Sequence, residues 1–226
     1  MSLWQETWDA FNNPINDGWG QLVTHIELSL VSLAIAAAIG ITLGVISAKV
    51  GKVASFLVIA VANLGRTVPE FAIMALVVAL SSIGFWPAVV GLVALGIPPI
   101  LLNVYTGIAN VDRDVIGAAR GMGMTAPQIT ARIEVPIAVP SLFVGLRVAA
   151  VQIVATAALA GLVGAGGLGV LVLSGLTTNQ DPVLLAGAIP IALLAMSAQL
   201  IFVAGQRLAT PRGLRLERAD LSEQKG

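Results

Sequence analysis

Side chains able to do chemistry are few in this sequence of 226 residues, and their types rule out most enzymes. There is one histidine, His25, and no cysteine. A single histidine among scattered acids builds neither a Ser/His/Asp set nor a metal centre. Without cysteine there is no disulfide, iron–sulfur cluster or thiolate site. His25 stands beside Glu27 at the outer mouth of the first apolar segment and reads as a solvated interfacial residue. Gly164-Ala-Gly166-Gly-Leu-Gly169 spells GxGxxG. A dinucleotide site needs a strand before those glycines, a helix after them and an acid about 20 residues on. Here an apolar helix precedes them and residues 184–189 hold no acid. They read instead as a close packing contact, with a flexible re-entrant turn as the alternative. No Gly-Lys-Ser/Thr follows a glycine run, so the chain is expected to hold no ATP or magnesium and to be no enzyme by itself.

Three ionisable residues, Arg66, Glu70 and Arg147, fall within apolar segments. A charge at membrane depth is costly and is found paired or lining a wet path. Arg66 and Glu70 are four residues apart, so they share a helical face, with Pro69 between them. Two readings stand for these residues: structural ion pairing inside a bundle, or the lining of a translocation path.

The elements that must position them are set by composition. The chain is 57% hydrophobic and 11% charged, with mean hydropathy +0.94. A bilayer core of ~30 Å takes about 20 apolar residues as a helix, and the apolar runs are continuous rather than alternating, which excludes a membrane barrel. The expected fold is an all-α membrane protein of five transmembrane helices, near 26–48, 53–80, 87–108, 135–159 and 182–206. The second is interrupted by Arg66, Pro69 and Glu70, and its division into two half-segments gives six elements. The expected organisation is an outer interfacial segment (1–25), a transmembrane domain (26–206) with a cytoplasmic loop (109–134), and a basic cytoplasmic tail (207–226).

Five spans put the termini on opposite sides. Lys49, Lys52, Arg113, Arg120, Arg132, Arg207, Arg212, Arg215, Arg218 and Lys225 all fall on one side, and Glu6, Asp9, Asp17, Glu27 and Asp181 on the other. The positive-inside rule then places the N-terminus outside and the C-terminus in the cytoplasm. Trp4, Trp8, Trp19 and Trp86 all fall on the outer side, as an interfacial aromatic belt does. Trp4, Trp8 and Phe11 have the spacing of a short helix lying on that interface, the alternative being a frayed terminus. The N-terminus is acidic and has no cleavage site, so no removable signal peptide is expected.

The segment 117–136, GAARGMGMTAPQITARIEVP, is the long polar exception. Asp112 is placed to cap a helix, with Asp114 complementing its dipole. Val115, Ala118, Ala119 and Met122 form one apolar stripe. Gly121 and Gly123 end this helix, and Thr125 with Gln128 makes a capping box for another. An ordered loop with an apolar face outside the membrane is expected to dock on a soluble partner.

These residues resemble the loop motif of permeases in ATP-binding cassette (ABC) importers: E-A-A, three residues, G, nine residues, I-x-L-P. Ala118-Ala119 is followed by Gly123 and then by Ile133-Glu134-Val135-Pro136, with Gly117 in place of the glutamate and Val135 in place of the leucine. Asn63-Leu-Gly-Arg66-Thr-Val-Pro69 and Gly164–Gly169 are similar to further segments of such permeases. The stretch from Ile97-Pro98-Pro99 to Ile108, with Ala118 to Met124, looks most like permeases for glycine betaine, carnitine and choline. The methionine importer permease is the next look-alike.

The resemblance implies a type I importer permease fold in the inner (cytoplasmic) membrane, surrounded by lipid. The implied partners are two ABC ATPase subunits that bind ATP and Mg, a second permease chain, identical or paralogous, and an extracytoplasmic binding protein. No nucleic acid is implied. The implied coupling residues are Gly117, Ala118, Ala119, Arg120, Gly121, Met122, Gly123 and Met124. A secondary transporter working without an ATPase, or an anchoring subunit without a pathway, are the other classes; the former usually shows an internal repeat, which five unequal spans lack.

Overall fold

In a computed structural model, the protein is described over residues 2–65 and 67–210, apart from the side chains of Lys52, Ala54 and Glu70. Every regular element among the described residues is helical. A short helix α1 (Leu3–Asn12) leads into α2 (Gly18–Ser47), followed by α3 (Lys52–Gly65), α4 (Glu70–Leu80) and α5 (Phe85–Ala109). The polar segment forms α6 (Arg113–Gly121) and α7 (Ala126–Ile129). A π-helical turn (Thr130–Glu134) then runs into α8 (Val135–Thr156), which tightens into a 3₁₀ segment (Ala157–Val163). Helices α9 (Gly169–Thr178) and α10 (Asp181–Ala209) complete the described chain.

Four helical stretches are long and apolar enough to cross a membrane: Gly18–Lys49, Phe85–Ala109, Ala126–Val163 and Asp181–Ala209. The second expected span is instead a pair of helices of 14 and 11 residues. Proline supplies no N–H and disfavours helical geometry at the residue before it, so Pro69 ends one helix and starts the next. The pair still runs the length of the bundle. Its first helix is tied to the end of α2, where Ser55 Oγ donates to the Ser47 carbonyl (2.6 Å). After its second helix, Gly84 N donates to the Val163 carbonyl (3.0 Å) at the opposite end of the bundle.

Small residues let the long helices approach closely, as bundles in lipid require. A Cβ on Gly40 would lie 2.9 Å from Ile100 Cβ, and one on Gly44 2.7 Å from Val104 Cβ, so α2 seats its Ala36–Gly40–Gly44 face directly on α5. A Cβ on Gly145 of α8 would lie 2.9 Å from the Pro99 carbonyl. The core is therefore the α2–α5–α8 contact, with Leu28, Leu92, Ile100 and Ile153 buried in it. Helix α10 lies against α8 and α9. Its N-terminal half contacts Leu168 and Leu171 through Gly187, and Gln206 Nε2 near its C-terminus donates to the Pro140 carbonyl (3.2 Å). The described chain thus begins at one end of the bundle and finishes at the other.

Candidate functional site

The polar segment is built by local capping. Asp112 Oδ1 accepts from Asp114 N (2.8 Å) to start α6, and Gly123 at φ +81° allows the reversal that stops it. Gln128 Oε1 accepts from Thr125 N (2.8 Å) at the start of α7. The expected apolar stripe divides. Ala119 turns inward and is 1% exposed, whereas Met122 is 74% exposed, and Val115 and Ala118 are exposed with it. Gly117, Arg120, Gly121 and Gly123 are exposed and Met124 is half-buried. No atom lies within 4 Å of where a Cβ on Gly117, Gly121 or Gly123 would stand. The exposed surface of α6 therefore presents Val115, Ala118 and Met122 together with Gly117, Gly121 and Arg120.

One charged contact was not legible from spacing. Lys49, at the end of α2, forms an ion pair with Glu134, which is 4% exposed in the π-helical turn. Thr130 Oγ1 donates to the same carboxylate oxygen (2.8 Å). A buried carboxylate needs this compensation. The pair joins the loop after α2 to the helix that carries the polar segment. The two residues are 85 positions apart, and only the tertiary fold brings them together.

Arg66 lies outside the described residues, and so does the side chain of Glu70; their expected pairing lies there with them. Arg147 on α8 is half-buried and has no ion pair or hydrogen bond among the described residues. The break they flank borders a cavity of about 190 Å³. Gly65, Val68 and Ile73 form one wall, Val148 and Gln152 of α8 another. The third is the α5 turn containing Ala94, Leu95, Pro98 and Pro99. Among the described residues Gln152 is the polar side chain of this lining, and it gave no spacing signal in the sequence.

His25 is not a solvated residue. It is completely buried, and its Nε2 lies 3.0 Å from the Val154 carbonyl. A carbonyl only accepts, so Nε2 carries the proton. The difference arises because α2 begins at Gly18, N-capped by Asp17, so His25 lies well inside the helix facing α8. The glycine turn packs over it: a Cβ on Gly167 would stand 3.4 Å from His25 Nδ1. Gly166 and Gly167 have φ +80° and +85°, and a Cβ on Gly169 would fall 1.7 Å from the Ala158 carbonyl oxygen. These glycines serve close packing, and the segment before them is helical, as the rejection of a dinucleotide site requires.

Four helices long and apolar enough to cross a membrane, with an ordered polar loop at one end, define an integral, multi-pass membrane protein. Residues 40–213 match the family described as the binding-protein-dependent transport system inner membrane component. The carnitine transport permease protein OpuCB of Listeria monocytogenes is 34% identical over 191 residues, 84% of this chain and 87% of that protein. The glycine betaine/carnitine/choline transport system permease protein OpuCB of Bacillus subtilis is 32% identical over 84% of this chain and 88% of its own length. A chain from an inward-facing structure of the MetNI methionine ABC transporter has a TM-score of 0.74 at 24% identity, covering 83% of this chain and 94% of that one, which establishes a shared fold. The chain belongs to the binding-protein-dependent transport system inner membrane components, as a permease subunit of an ABC importer.

Proposed function

We propose that this permease carries a small quaternary ammonium solute, of the glycine betaine, choline or carnitine kind, inward across the cytoplasmic (inner) membrane. The solute class rests on the relatives' named substrates, joined to the sequence likeness through the α5 and α6 segments. The fold likeness to a methionine transporter carries no substrate argument at its level of identity.

The observation that carries the mechanism is the exposed apolar face of α6. It is held by its own caps and left open on the outside. We take residues 117–124 as the seat on a partner ATPase, which would bind ATP and Mg and supply the hydrolysis. Two such ATPases, a second permease chain and an extracytoplasmic binding protein complete the proposed assembly. The N-terminus is assigned outside and the tail inside, with the α3–α4 pair as one of five crossings. Lys49, Arg113, Arg120, Arg132 and Arg207 gather at the loop end of the bundle, and the four tryptophans at the other, which supports that assignment. Arg66, Glu70 and Arg147 are taken to line the path. Closure of the ATPases would pull α6, and the continuous helical stretch Ala126–Val163 would carry that pull into the membrane, giving alternating access by rigid-body movement.

Docking is tested by Ala118→Arg and Met122→Asp, which put charges on the exposed face of α6 and leave its buried side and its caps alone. Each is expected to lower ATP-driven uptake more than tenfold and to remove the ATPase from purified complexes, while the permease stays inserted. Normal uptake in both variants would refute docking through this loop.

A further inference from the structure

We propose that the cavity beside the α3–α4 break receives the quaternary ammonium head of the transported solute, and that backbone carbonyls of α5 recognise it. This rests on the substrate class argued above. Pro98 and Pro99 are consecutive within α5, so two successive N–H groups are missing from one helical turn. The carbonyls of Ala94 and Leu95 consequently lack their i+4 donors. All four residues stand in the wall of the cavity, opposite the break. In an apolar bundle such backbone groups are tolerated where a neighbouring helix, a side chain or a wet cavity satisfies them, and here the cavity borders the residues that carry them.

The chemistry selects the ligand. A carbonyl dipole presents its negative end, so two of them favour a positive charge. A trimethylammonium group has no N–H and is weakly hydrated, so it gains from these dipoles without needing hydrogen bonds. Its methyl groups suit the apolar side chains Val68, Ile73 and Val148 across the same space. Gln152 adds a third carbonyl oxygen from α8. A small metal cation needs a full shell of oxygens, and this apolar wall offers few. Among the described residues no aromatic ring lines the cavity, so they form no cation–π cage. A weak site of this kind suits a path that must also release its cargo.

The test uses the complete transporter in proteoliposomes, with its ATPase and saturating, substrate-loaded binding protein. Pro98→Ala and Pro99→Ala each return one N–H to α5, so the i+4 donor to Ala94 or Leu95 is restored and that carbonyl is drawn into the helix. Each is expected to slow glycine betaine uptake at least fivefold with an unchanged or higher thermal midpoint and an unchanged amount of assembled complex. Val148→Phe fills the cavity from α8, leaves the α5 prolines alone and is expected to slow uptake similarly. Direct binding of radiolabelled choline to the complex without binding protein should weaken at least fivefold in all three variants. Unchanged uptake and binding in both proline variants overturns the proposal, even if Val148→Phe blocks transport. So does a loss that tracks the amount of assembled complex. Wild-type transporter that moves methionine and no quaternary amine overturns the substrate class instead, and that result is read before any variant is made.

Discussion

Gly117 occupies the position where the resembled loop motif has a glutamate. The substitution is a matter of a missing side chain and not of a missing space. A Cβ there meets no atom within 4 Å, and the residue is exposed on α6. Glycine inside a helix is unfavourable by about 1 kcal/mol relative to good helix formers. Gly117→Glu is therefore expected to fold normally and to stabilise α6 by about 0.5–1 kcal/mol. It should leave uptake intact and retain more ATPase through purification, since it places a carboxylate at the proposed docking face. Thermal unfolding of the complex and the ATPase-to-permease ratio after washing check this. A lower ratio would mean that the partner groove is built for a bare glycine.

Among the elements, α2 and α8 are tied at one end by Lys49 and Glu134. The tie lies where α7 passes through a π-helical turn into the membrane-crossing helix. Glu134 is almost wholly buried, so loss of its cation leaves a carboxylate with Thr130 as its remaining hydrogen-bond partner among the described residues, at a cost on the order of 1–3 kcal/mol. Lys49→Met is expected to lower the thermal midpoint and to weaken uptake per ATP hydrolysed. The exchanged pair Lys49→Glu with Glu134→Lys should recover part of both. Recovery of stability without recovery of coupling would limit the pair to a structural role.

This tie marks the boundary of what the sequence disclosed. The caps at Asp112 and at Thr125–Gln128 were legible because they are local, closing within three residues. The long spans were legible from hydropathy, and the break at Pro69 from proline's missing N–H. The burial of His25, the Lys49–Glu134 pair and the cavity at Gln152 were not legible. Each depends on which faces of α2, α5 and α8 meet, and helices that are apolar all round carry no periodicity that fixes those faces.

For the whole molecule, the asymmetry of its two ends is the feature that transport requires. One end holds α1, the start of α2, the glycine turn and all four tryptophans; the other holds α6, α7 and the Lys49–Glu134 pair. With the α3–α4 pair counted as one crossing, the chain passes between these ends an odd number of times. A binding protein and an ATPase can then approach from opposite sides of the membrane. Because the sequence has no cysteine, a single introduced thiol reports its side without background. Gln5 on α1 and Met122 on α6 are both exposed, so cysteine at either is accessible to solvent or a partner face. In intact cells a membrane-impermeant maleimide is expected to label Gln5→Cys on the outer face and to leave Met122→Cys untouched. Met122→Cys should label only in inside-out vesicles, and less when the ATPase is bound. Labelling of both positions from the same side would mean an even number of crossings, with the α3–α4 pair entering and leaving on one face. The loop could not then meet an ATPase while the tryptophan end faces the binding protein.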